Sequence, residues 1–286
     1  TRAVQPSAVI RPADDNEIGE ILKKRIFESV DESAAKAAGD AYRGLYESLG
    51  KTEQLAGGAE HPATYGELVT TTYPFHPELV RVLDKRLGNI TQFQRARGAL
   101  KLLAEVVAHI YDTNDDTAII NVGDIDFDND PVLNHLTDGL GRAEYASVAE
   151  GDFAGKQSHA AAVDADVFPG KPAYATRVAR TVFTHSLEMV ATAGAGRNDW
   201  IVGTLRPGED TAIFEKALTE SEKVFWHLSF DGGRWRFNIE PNVNAIIETE
   251  KRTVANTAVA AMVDTLIRNA FANDGGAKAV HFPSGP

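Results

Sequence analysis

The chain has 286 residues, a formal net charge of -12, no cysteine, and 43% hydrophobic against 24% charged residues. That is enough chain for two or three modest domains with real cores, and an acidic balance that argues against a broad electrostatic grip on nucleic acid. The lack of cysteine excludes a disulfide framework, a thiolate zinc site and a cysteine nucleophile, and it is compatible with a cytoplasmic location; no apolar run is long enough for a membrane span, so no membrane is expected as a partner.

After an extended lead, Val9-Ile10-Arg11-Pro12, the spacing of Asp14 and Glu17 forms a capping box, with Ile18, Ile21, Leu22 and Ile26 in helical period. A second helix follows from Glu32, with Ala34, Ala38, Ala41, Leu45 and Leu49 on one side and Gly50 closing it. Lys51 to Pro62 is rich in small residues and reads as a surface loop. In Tyr73-Pro74-Phe75-His76-Pro77, the second proline suits the first helical position and His76 the N-cap. Leu79, Leu83 and Leu87 then recur until Gly88. Thr91 and Gln94 have capping-box spacing, which predicts a helix starting at Thr91. Its wide apolar face, including Phe93, Ala96, Leu100, Leu103, Val107 and Ile110, predicts a central, well-buried helix. Arg95 and Arg97 lie in its opening turns, where the dipole disfavours each by about 0.3–1 kcal/mol unless an anion is held there.

Thr117 to Val122 is β-branched and predicts a strand. The run Asp124, Asp126, Asp128, Asp130 is not a calcium loop, because Asn129 stands where glycine belongs and His135 where a bidentate glutamate belongs. Asp130 is expected to cap a helix opened by Pro131, with Ile125 and Phe127 pointing inward. Gly155-Lys156-Gln157-Ser158 is not a P-loop, and no other Walker-type loop occurs in the chain. From Ala173, the positions Ala175, Val178, Val182, Ser186 and Val190 share a helix face that Gly194 or Gly196 ends; His185 on this helix reads as a core or boundary histidine. Another helix is predicted over Thr211–Val224. Phe225 to Phe230, Asp231-Gly232-Gly233 and Arg234 to Ile239 then make a β-hairpin with Trp226, Trp235 and Phe237 in its core. Arg234 and Arg236 fall on one face of it, as a wing contacting DNA or a partner protein requires. The preceding helix, with Glu215, Glu220 and Glu222 beside Lys216 and Lys223, is a poor recognition helix, which favours a protein partner. A last helical region carries Ile246, Val259, Met262, Val263, Leu266 and Ile267 before Gly275-Gly276.

The expected fold class is mainly α, with a winged-helix-like α+β part. The expected divisions are 1–112 for a helical bundle, 113–172 for a mixed α/β connection, 173–250 for the winged-helix-like part, and 251–286 for a C-terminal helix and the start of a following domain. A start at Thr1 and a strand-like end, Ala279 to Pro283, read as a piece of a longer protein.

The pairing of Tyr73-Pro74-Phe75-His76-Pro77 with Phe93-Gln94-Arg95-Ala96-Arg97-Gly98 resembles the domain-of-unknown-function 499 family of AAA+-like ATPases, with support from Asp14 to Phe27, Ala175 to Leu187 and Trp226 to Asn244. The resemblance implies an ATPase that uses ATP with Mg2+, associated with DNA methyltransferases in restriction or phage-defence settings. It implies that the Walker motifs lie in an N-terminal core before Thr1, and that residues 1–112 are an AAA+-type lid. Arg97, followed by Gly98-Ala99-Leu100, matches the lid's second nucleotide sensor better than Arg95, which suits a structural role or a finger toward a neighbouring subunit of an oligomer. The fragment itself is then non-catalytic and binds no cofactor alone.

Overall fold

The computed structural model describes residues 15–51, 62–94, 96–113, 117–188, 193–243, 246–247 and 256–271. The lead Val9 to Pro12, Asp14, residues 52–61 of the loop, Arg95, Val190, Gly275-Gly276 and Ala279 to Pro283 lie outside them. The described residues are mainly helical with one small antiparallel sheet. The helices of the first half are α1 (Asp15–Ile26), α2 (Glu32–Lys51), α3 (Pro62–Thr72), α4 (Pro77–Arg81) and α5 (Ala96–Thr113). Then come α6 (Asp130–Leu136), α7 (Glu144–Asp152), α8 (His159–Val167), α9 (Tyr174–Ser186), β1 (Ala195–Gly196), α10 (Arg197–Thr204), α11 (Thr211–Glu222), β2 (Leu228–Asp231), β3 (Arg234–Phe237) and α12 (Asn256–Phe271).

Helix α2 turns Ala35, Tyr42, Leu45, Tyr46 and Leu49 inward, whereas Ala41 is exposed, so its buried face is rotated from the alanine stripe. The tyrosines set that rotation: Tyr46 packs on Tyr65 of α3 with ring centroids 4.6 Å apart, and Tyr42 lies 4.9 Å from the His76 ring. Close approach of α2 and α3 requires glycine at their crossing, where a Cβ on Gly66 would stand 2.9 Å from the Gly39 carbonyl oxygen.

His76 does cap α4. Its Nδ1 accepts the Glu78 N–H at 3.1 Å, so the proton of the neutral ring sits on Nε2 and is given to Tyr46 Oη at 3.0 Å. The helix runs on as a π turn, Val82–Arg86, and a 3-10 turn, Leu87–Asn89, keeping Leu79, Leu83 and Leu87 buried. The next helix does not start at Thr91. Thr91–Phe93 is a separate 3-10 turn, Gln94 adopts a left-handed φ of 58°, and α5 begins at Ala96. The chain doubles back so tightly that a Cβ on Gly98 would collide with the Phe93 carbonyl.

Thr117–Val122 is not a strand. It is an irregular stretch, bent at Ala118 and Ile119, with one parallel bridge among the described residues, Ile120 to Phe75, and it runs into a 3-10 turn, Val122–Asp124, closed by a capping box between Asn121 and Asp124. Asn129, not Asp130, caps α6, its side chain accepting the Val132 N–H, while Ile125 and Phe127 are buried.

The most enclosed helix is α9 instead of α5: Tyr174, Ala175, Arg177 to Ala179 and Thr181 to Ser186 are all buried. It packs against α8, α10, α11, β1, β3 and the Val122–Asp124 turn. The hairpin forms at the expected turn, with Gly232 and Gly233 at φ 56° and 76°, but its strands are shorter than Phe225–Phe230 and Arg234–Ile239, so Trp226 precedes β2; β1 adds to it in the order β1-β3-β2. Phe237 joins Phe153, Phe183 and Phe225 in one aromatic cluster. The core is continuous from Leu22 to Phe237. Helix α12 is exposed along Val259, Met262, Val263 and Leu266.

Candidate functional site

Arg97 is the second residue of α5 and is exposed; its guanidinium meets no partner among the described residues. Arg95 lies outside those residues. The two wing arginines are engaged within the chain. Arg234 Nη2 donates to the Gly194 carbonyl at 2.6 Å and to Asp199 Oδ2 at 2.7 Å. Arg236 donates from Nε and Nη2 to the Ala193 carbonyl at 3.0 and 2.9 Å. Alternation on β3 does place both side chains on one face, and that face is turned onto the segment leading into β1.

Asp199 is the meeting point of a larger ionic cluster. It stands at the third position of α10, where its Oδ2 also accepts the Gly196 N–H at 2.9 Å. Arg86, from the turn after α4, reaches Asp199 Oδ1 and Glu188 Oε2, each at 3.2 Å. Arg81 makes a bidentate pair with the buried Glu78, at 2.7 and 2.6 Å, and its Nη2 lies 3.4 Å from Asp199 Oδ1. Thus α4 and its extension are tied to α10 and β3. Burial opposes the Asp199 charge, but Arg86, the Gly196 N–H and Arg234 outweigh it and hold the carboxyl below its ordinary range. Burial pushes Glu78 up, and Arg81 opposes that rise.

His185 of α9 lies inside this cluster, fully buried, with its Nε2 3.6 Å from Glu78 Oε1 and neither ring nitrogen hydrogen-bonded. Burial, reinforced by Arg86, lowers its pKa to about 3, so the ring is neutral. Glu78, His185 and Asp199 bring ligand atoms within 4.8 Å of one another. A divalent cation does not fit there, because Arg81, Arg86 and Arg234 already occupy the carboxylate oxygens with positive charge.

A second hub, Asp152, is fully buried and accepts from His159 Nδ1, Trp226 N–H and His227 N–H, each at 2.8 Å. It joins α7 and α8 to the lead into β2. Three further arginines, Arg177, Arg180 and Arg206, meet Asp124 and Asp126 in a cleft beside the C-terminal end of α5. Arg97 and His109 of that cleft are twelve positions apart on α5, or about 18 Å, so they serve separate places. The sequence reading missed Arg81, Arg86, Asp199 and the three cleft arginines, because their partners come from segments 27 to 118 residues away, apart from local pairs such as Arg81–Glu78.

No curated protein and no solved structure matches this chain. A family model described as the DUF499 second domain matches residues 13–196, well over half of the chain and ending at β1. The chain therefore belongs to the DUF499 family.

Proposed function

We propose that the chain is a non-hydrolytic regulatory module of a larger AAA+-like ATPase, passing the nucleotide state of that protein's core to a partner protein. The carrying observation is the Asp199 cluster, which ties the Pro77–Arg86 region to α10 and β3 through Arg86 and Arg234. A displacement at α4 is then delivered to the sheet without slack, since the core between them is continuous. The absence of any Walker-type loop from the 286 residues supports assigning ATP and Mg2+ to a core outside this chain. The exposure of Arg97 in the first turn of α5 supports its reading as a sensor for a phosphate brought by such a core.

The order α9–β1–α10–α11–β2–β3 with sheet order β1-β3-β2 supports a winged-helix reading of the second half. A protein partner, such as a DNA methyltransferase, is favoured over DNA. The terminal nitrogens of Arg234 and both donors of Arg236 named above are directed at carbonyls and Asp199, and α11 exposes Glu215 and Glu222 next to Lys216 and Lys223. Phe230, exposed at the wing tip with its ring 4.7 Å from that of Trp235, suits a protein contact. The setting is the cytoplasm, and oligomer assembly belongs to the parent protein.

Two assays test this reading. ATP turnover by the chain with Mg2+ is expected at the buffer background, and metal-dependent turnover lost in Arg97→Ala would overturn the division of labour. Duplex binding at low salt is expected to be absent. Salt-dependent binding that falls on losing Arg234 and Arg236 would instead establish the DNA-binding module.

A further inference from the structure

A cleft of about 420 Å³ opens between the C-terminal end of α5, the Val122–Asp124 turn and the first turns of α9. Its size falls in the range of small-molecule sites. Three guanidinium groups line it, from Arg177, Arg180 and Arg206, beside two carboxylates, Asp124 and Asp126, and Glu209 pairs with Arg177. Three arginines thus converge on one cleft in a chain of net charge -12, balanced there by three carboxylates.

The arginines are anchored but not saturated. Arg177 is 7% exposed; its Nη1 and Nη2 are held from behind by Glu209, at 2.6 and 3.3 Å, and Nη2 also donates to the Thr204 carbonyl at 2.6 Å. Its Nε is buried without a hydrogen-bond partner, 3.9 Å from Asp124 Oδ1. Arg180 is bonded through Nη2 to Asp126 Oδ1, and its Nε is likewise buried with no hydrogen-bond partner. Arg206, with its side chain 40% exposed, donates from Nη2 to Asp124 Oδ1 at 2.7 Å and to Thr117 at 3.4 Å. Each guanidinium carries five N–H donors, so the three together offer more donors than the carboxylates take up. A buried donor left unmatched is unfavourable, and an acceptor brought to it would remove that penalty.

We propose that this cleft binds a small phosphorylated ligand, with its phosphoryl oxygens received by Arg180, Arg206 and the Nε of Arg177. A phosphoryl group presents three oxygens to three guanidinium groups, whereas a carboxylate is satisfied by one bidentate arginine. The two aspartates keep the guanidinium groups in place beforehand. Arg206 is the group that moves: it exchanges Asp124 for the ligand, while Asp124 remains held through Oδ2 by the Asn121 N–H at 2.9 Å. Asp126 stays paired with Arg180 and with His109, the latter at 2.9 Å. The volume of the cleft, about 420 Å³, suits a small molecule. The inference rests on cleft geometry alone and is independent of the coupling role.

Calorimetric titration of the chain with inorganic phosphate and, separately, with ADP tests it, with 15N spectra of the arginine side chains recorded in parallel. Saturable binding of at least one probe is expected, together with shifts of the Arg177 and Arg180 Nε–H resonances. Arg206→Gln, a change near the surface, is expected to weaken binding about tenfold. The double variant Arg180→Gln with Asp126→Asn, which leaves no unpaired aspartate, is expected to do the same. Binding of both probes assigns recognition to the phosphoryl group, and binding of ADP alone adds a contribution from the nucleoside. No binding of either probe up to about 10 mM, or binding unchanged in both variants, overturns the site.

Discussion

Arg234 of β3 closes on Asp199 of α10 at 2.7 Å, and the other oxygen of the same carboxylate receives Arg86 from the far side at 3.2 Å. A side chain expected to face a nucleic acid or a partner is thereby part of the internal frame. The frame and the surface make different demands on the same residue type, which the following substitutions separate.

Replacing Arg86 by Met leaves Asp199 and Glu188, with side chains only 16% and 15% exposed, short of a counter-charge. Breaking one partner out of such a buried cluster is expected to lower stability by about 3 kcal/mol in urea denaturation. Removing the exposed pair Lys24–Glu20 is expected to change it by less than about 0.5 kcal/mol. Equal effects would mean that the cluster is as well solvated as the surface pair.

Gly98→Ala places a methyl against the Phe93 carbonyl, and backbone cannot yield as a flexible side chain does. The expected cost is about 2–3 kcal/mol, read as a lowered thermal midpoint. Gly151→Ala, where a Cβ meets nothing within 4 Å, is the control and should leave the midpoint within a degree or two or raise it.

Burial lowers both His76 and His185 to about 3. A histidine whose folded pKa lies below its unfolded value of about 6.5 takes up a proton on unfolding between the two. Its contribution is therefore fully present above about pH 6.5 and is lost as pH falls toward 3. Each ring is expected to add about 1.4 kcal/mol per pH unit to the slope of stability inside that window. The difference in stability between the wild-type chain and His76→Gln, measured at pH 7 and pH 5, should shrink at the lower pH. A constant difference would place the His76 ring in a solvated site.

Much of the helical plan was legible because periodicity and caps are local: α1, α9 and α11, the His76 cap and the Gly232-Gly233 hairpin all follow from neighbours in sequence. Helices α3, α7, α8 and α10 are not predicted by the sequence; in α8, small residues such as Ala160, Ala161 and Ala162 give no apolar stripe to count. The Thr117–Val122 run was misread for a different reason. Ile119, Ile120 and Val122 are buried, but a strand needs a partner, and among the described residues Phe75 alone supplies a bridge. The start of α5 depended on the left-handed Gln94, which no propensity announces. Arg97 was found as a charge at a helix terminus. Arg177, Arg180 and Arg206 were passed over, because a guanidinium cluster assembled from α9 and the turn before α11 exists only after the chain has folded around Asp124 and Asp126.

The coupling account is tested most directly by hydrogen exchange on Asp199→Asn. If the cluster transmits strain between the halves, the amides of Leu79 to Val82 and those of Arg234 to Phe237 should lose protection together and by similar factors, while those of α2 keep theirs. Faster exchange confined to α10 and β3, with Leu79 to Val82 unchanged, would contradict it.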